Sequence, residues 1–127
     1  MAVSAMLFAE SKSSLAFACA LAAALLPSPA FADMSFYVVN DYSKAIAFEF
    51  VGQDRAWPGG DKVYMLERHR KKSVPIDCKA GERICYGAWE IGNDKVLWGI
   101  GPDRDKTCEN CCSTCLSTGN TNITISD

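Results

Sequence analysis

Lys44-Ala45-Ile46-Ala47-Phe48-Glu49-Phe50-Val51-Gly52 alternates from one residue to the next. Ile46, Phe48 and Phe50 share one face; Ala45, Ala47, Glu49 and Val51 share the other. Successive side chains of a strand point to opposite faces, so this period of two predicts a half-buried β-strand. Working outward, Ser35-Phe36-Tyr37-Val38-Val39-Asn40 is rich in aromatic and β-branched residues and stops at the turn signal Asn40-Asp41. Gln53 to Asp61 contains Trp57-Pro58-Gly59-Gly60 and reads as a loop. Lys62 to Glu67 is a short strand. Lys72 to Cys78 alternates, with Val74, Ile76 and Cys78 on one face. Pro75 on the other face cannot donate to a ladder, which places this strand at a sheet edge.

Glu82 to Ile91 and Lys95 to Gly101 flank Gly92-Asn93-Asp94 and predict a hairpin. With Asn93-Asp94 as the turn, Trp89 faces Trp98, Ile91 faces Val96, Gly87 faces Ile100 and Ala88 faces Gly99. Asn122 to Ser126 forms the last strand; its Asn122-Ile123-Thr124 sequon is a glycosylation acceptor only in a eukaryotic secretory pathway. No segment has the 3.6-residue period of an amphipathic helix. About seven short strands with frequent turn signals predict an all-β fold, a small antiparallel β-sandwich, with a partly open barrel as the alternative.

The chain has seven cysteines. Leu15 to Leu26 is a twelve-residue apolar run, too short for the ~30 Å hydrocarbon core but fitted to the apolar region of a signal peptide. Pro27-Ser28-Pro29 breaks it, and Ala30-Phe31-Ala32 supplies the small residues a signal peptidase reads. Residues 1–32 are therefore expected to be a cleaved signal peptide, with Met1 or Met6 as its start, and residues 33–127 a single β-sandwich domain. Cys19 leaves with the leader. The remaining six, Cys78, Cys85, Cys108, Cys111, Cys112 and Cys115, mature in an oxidising compartment, where disulfides are the usual outcome. If Cys78 pairs with Cys85, the cluster must close on itself. Otherwise both upstream cysteines reach the cluster and one local bond remains inside it. The second class is favoured, because adjacent Cys111 and Cys112 point different ways and each takes its own partner. The alternative is a thiolate site for zinc or copper, or a thiol-redox role, on the same residues.

Net charge is −2, and losing Glu10 and Lys12 leaves it unchanged, which argues against a nucleic-acid surface. No span would cross a membrane after cleavage. Arg68-His69-Arg70-Lys71-Lys72 is a basic run between strands: a solvated turn, or a contact patch for anions. Trp57 either caps the core or contacts a sugar or protein. Glu49, Glu67 and Glu90 are the carboxylates that could meet in space, yet no pattern selects them. No Gly-x-Ser-x-Gly, phosphate loop, His-Glu-x-x-His or calcium loop is present, and no cofactor is implied.

Ile84-Cys85-Tyr86-Gly87-Ala88-Trp89, Leu97-Trp98-Gly99-Ile100-Gly101 and the Cys108-x-x-Cys111-Cys112-x-x-Cys115 element together resemble a group of small exported, cysteine-rich bacterial proteins of unknown function. The resemblance covers most of residues 33–127 and implies no activity. Phe36-Tyr37-Val38-Val39-Asn40 is also similar to the first strand of thaumatin-like β-sandwich proteins. The expectation is an exported, disulfide-stabilised, non-enzymatic binding or structural protein, secreted or periplasmic, with a protein or a cell-envelope polysaccharide as partner.

Overall fold

A computed structural model of the chain describes residues 31–116 and 119–127. The expected leader, including Cys19, lies almost wholly outside the described residues; the first strand begins at Phe31, just ahead of the expected cleavage point. The described residues hold nine strands: β1 (Phe31–Asn40), β2 (Ile46–Val51), β3 (Ala56–Trp57), β4 (Tyr64–Leu66), β5 (Lys71–Lys79), β6 (Arg83–Glu90), β7 (Asn93–Gly99), β8 (Cys112–Thr114) and β9 (Asn120–Ile125). They form two sheets, β5-β1-β9 and β3-β2-β6-β7, with β4 also on β2 and β8 also on β6. The chain crosses between the sheets repeatedly, so neither sheet is built from one contiguous stretch. Among the described residues no helix is long and apolar enough to cross a membrane.

The core follows from the alternation. Met34, Phe36 and Val38 of β1, Ile46, Phe48 and Phe50 of β2, Val74 and Ile76 of β5, and Ile123 and Ile125 of β9 are all buried between the sheets. Phe36 stacks on Phe50 across the sandwich with ring centroids 4.2 Å apart, and Phe48 stacks on Tyr64 at 5.1 Å. Such pairs contribute about 0.5–1.5 kcal/mol beyond their burial. β5 is an edge strand, as Pro75 requires.

Four details differ from the sequence reading. First, all seven expected strands form, but β3 is added inside the segment read as a loop, and β8 inside the cysteine-rich segment between the last two expected strands. Each is a pairing of two or three residues, on β2 and β6 respectively. Second, one pair is not antiparallel: β9 runs parallel to β1, a pairing of the two ends of the domain that no hairpin can make. Third, β2 is buried on both faces. Ala47 and Glu49 are 4% and 5% exposed, because the segment after β7 folds back over the outer face of the sheet. There Arg104 binds Glu49 through two hydrogen bonds of 2.9 Å each. Gly87 permits this cover: a Cβ there would sit 2.6 Å from the Gly101 carbonyl oxygen.

Fourth, the hairpin register is shifted. Glu90 pairs with Asn93, then Trp89 with Leu97, Ala88 with Trp98 and Gly87 with Gly99, with a bulge on β7 between the first two pairs. The turn is Ile91-Gly92, not Asn93-Asp94, because Gly92 supplies the left-handed conformation (φ 88°) one step earlier. Trp89 and Trp98 therefore lie on opposite faces of the sheet. Trp98 packs partly against the core, edge-on to Tyr42 at 4.9 Å, and its indole N–H donates to the Ser126 carbonyl at 2.8 Å.

Candidate functional site

Three disulfides fix the polar segment between β7 and β9. Cys78 on β5 joins Cys115, tying the two sheets together inside the core. Cys85 on β6 joins Cys112 on β8, its opposite number in the register. Cys108 joins Cys111 within the loop. Both upstream cysteines thus reach the cluster and one local bond remains. Backbone hydrogen bonds add to the attachment: Cys115 N–H donates to Glu82 O at 2.8 Å, Gly81 N–H to Cys115 O at 2.9 Å, and Tyr86 N–H to Cys111 O at 2.9 Å. All six of these sulphurs lie in disulfides. Among the described residues no group of three His, Cys, Asp or Glu could hold a metal.

The fixed segment leaves a seam. β8 is held against one sheet and β9 closes the edge of the other, and between them lies a cleft of about 170 Å³. Half-buried Tyr86 contributes aromatic surface, and Phe36, a core residue 2% exposed, backs the cleft from within. Asn110, Ser113, Thr121, Asn122 and Thr124 line it with polar atoms, and Cys111 and Ile123 lie between. No lining side chain is an acid or a base of ordinary kind; the one titrating group, the Tyr86 phenol, is pushed further up by burial. The cleft can therefore offer hydrogen bonds and an aromatic face but no counter-ion.

The side chains singled out in the sequence do not gather there. Trp57 is only 8% exposed: it caps the core, with the Arg55 guanidinium 4.6 Å over its ring and its indole N–H donating to Asp77 Oδ1 at 3.4 Å. It is a core residue, with little surface left for a ligand. Asp77's own backbone N–H, the Trp57 indole and the Arg55 charge hold the Asp77 carboxyl below its ordinary range.

Arg68, His69, Arg70, Lys71 and Lys72 are exposed, as a solvated turn should be. His69 has a left-handed backbone (φ 59°) and its Nδ1 lies 3.8 Å from Asp41 Oδ1. Lys71 and Asp77 sit six residues apart on β5, about 20 Å at strand rise. The basic run and the Trp57 cluster are therefore separate surfaces.

The carboxylates do not meet either. Glu49 faces outward from the sheet and pairs with Arg104. Glu90, opposite Ile46 in the register, belongs to the other face; its Oε1 accepts from the Tyr42 hydroxyl at 2.6 Å and lies 3.7 Å from Lys44 Nζ. Glu67 is exposed in the β4–β5 loop.

Two buried polar residues were missed. Asn40 is fully buried; its amide donates to Lys44 O (2.9 Å) and Leu66 O (3.1 Å), and its Oδ1 accepts from Tyr42 N–H (3.0 Å). Glu82 is 5% exposed and accepts from the backbone N–H groups of Gln53 and Lys79, each at 3.0 Å. Both are structural pins: Asn40 marks a strand end in the sequence, and Glu82 follows the Ala80-Gly81 turn, but neither signal reveals burial. The cleft side chains were missed because they come together only when β8 and β9 take their places. Neither a protein-family model nor a characterised protein nor a solved structure matches the chain.

Proposed function

We propose that the chain is an exported, non-enzymatic binding module of the periplasm or extracellular space. It holds a neutral, hydroxyl-rich ligand, a segment of cell-envelope polysaccharide, in the cleft between β8 and β9. The observation that carries the reading is the lining of that cleft: amides, hydroxyls and the half-buried Tyr86 ring, with no charged side chain. Such a surface matches the hydroxyl array and apolar faces of a sugar, and offers no cationic side chain to an anion. Export is supported by the apolar run at Leu15–Leu26, the Ala30-Phe31-Ala32 site and a disulfide-dense small domain. The non-enzymatic reading is supported by the buried carboxylates: Glu49, Glu82 and Glu90 are each committed to a structural partner.

The test is amide chemical-shift mapping during titration with short neutral glucan and chitin oligosaccharides. The reading predicts shifts confined to residues 110–113 and 121–124. It also predicts that Asn122→Ala and Ser113→Ala each weaken binding by about tenfold, the value of one hydrogen bond, without a change in melting temperature. Absence of shifts with any neutral glycan would contradict it. So would shifts produced only by anionic glycans, or by an extended peptide adding to the β9 edge.

A further inference from the structure

The three disulfides are not equivalent. Cys78 and Cys115 are both 0% exposed, so no external thiol reaches their bond in the folded chain. Cys85 and Cys112 are half-buried within the β6–β8 pairing. Cys108 is also half-buried, but it is followed by exposed Glu109 and Asn110 and belongs to no strand. Its bond to Cys111 spans a sequence separation of 3, against 27 and 37 for the other two. Opening it frees the least chain. Cys111 is buried at 4% exposure, and its Sγ lies 3.9 Å from Cys112 Sγ, one of the two sulphurs of the next disulfide.

We propose that Cys108–Cys111 is a thiol–disulfide exchange site, and that its opening is relayed through Cys112 to Cys85. The co-reactant is an external dithiol. One of its thiolates attacks Cys108 Sγ; the Cys108–Cys111 bond breaks, and Cys111 leaves as the thiolate. The second thiol of the reductant resolves the mixed disulfide, so two electrons and two protons pass to the protein and the dithiol becomes a disulfide. Cys111 then attacks Cys112: a Cys111–Cys112 bond forms, the Cys85–Cys112 bond breaks, and Cys85 leaves as a thiolate that takes a proton from water. No net electrons move in this second step. A bond between adjacent cysteines closes a tight ring, so this form is a transit state. While it lasts, β8 loses its covalent tie to β6 beside Tyr86, at the wall of the cleft.

The experiment is limiting reduction of the full domain with a dithiol, followed by alkylation and mass-spectrometric location of the labels. Cys108 and Cys111 are expected to label first, with Cys78 and Cys115 still bonded. Simultaneous appearance of label on all six cysteines, or first label on Cys78 or Cys115, would overturn the exchange site. The relay is tested without reductant in two single variants. In Cys108→Ser, Cys111 is free beside Cys112, and Cys85 should label at least about tenfold faster than in Cys111→Ser, where the relay sulphur is gone. Equal Cys85 labelling in the two variants would overturn the relay. Circular dichroism of both variants, with the β signature retained, separates a failed fold from a failed relay.

Discussion

Asn40 joins three segments through one side chain, since its amide reaches Leu66, 26 residues away, as well as Lys44 and Tyr42. Asn40→Ala should cost about 2–3 kcal/mol in chemical denaturation, because it leaves buried backbone groups without partners. Asn40→Asp should cost more at neutral pH, since a carboxylate would face two carbonyl oxygens; a neutral result for both would remove Asn40 from the account. Arg104→Ala leaves the buried Glu49 carboxylate unpaired. The Arg104 side chain is 46% exposed, so solvent screening holds the expected loss to about 1–2 kcal/mol. Tyr42 gives a pH dependence. Its hydrogen bond to Glu90, with burial and the Glu90 charge, raises its pKa above the ordinary 10.0. The fold thus favours the protonated phenol: this contribution is complete below the ordinary value and lost as pH climbs through the raised one. The melting temperature of Tyr42→Phe should fall less steeply above about pH 10 than that of the parent; equal slopes would contradict this. None of these roles was legible in the sequence. Asn40 looked like a turn mark, and no pattern selected Glu49, because the partners of each are fixed only by tertiary contact.

The strands themselves were the legible part. Alternation marked Ile46, Phe48 and Phe50 and again Val74, Ile76 and Cys78 as core-facing, and all six are buried; burial alternates residue by residue in β5, but not in β2, whose outer face is covered as well. The register of the β6–β7 hairpin was not legible, since Gly92 and the Asn93-Asp94 pair are rival turn formers and the choice moves every partner. The cover over β2 was equally hidden: Gly87 is a small residue in a strand until the Gly101 carbonyl is seen lying on it. Gly87→Ala should push that cover away, loosen the Arg104–Glu49 pair and cost about 1–3 kcal/mol. In hydrogen exchange the amides of residues 100–106 should lose protection while the β1–β5 amides keep theirs. Unchanged exchange in residues 100–106 would show that the cover does not depend on this glycine. β3 and β8 escaped the sequence reading because pairings of two or three residues carry no period of their own.

For the whole molecule, the cleft exists because covalent bonds hold a turn-rich segment against one sheet while β9 completes the other. Strand alternation, turn signals and cysteine count made the stapled all-β body legible, but the parallel closure of β9 on β1, and with it the cleft, depends on pairing the two ends of the domain. Removing Cys85–Cys112 as a double alanine variant releases a loop constraint of 27 residues' separation, expected to cost about 3–4 kcal/mol in the chain-entropy account. Cleft binding should weaken with it. The most direct measurement is disulfide mapping by proteolysis and mass spectrometry of unreduced protein. The account predicts peptides linked Cys78–Cys115, Cys85–Cys112 and Cys108–Cys111. A Cys78–Cys85 link, or free thiols at Cys85 and Cys112 in the unreduced protein, would contradict it.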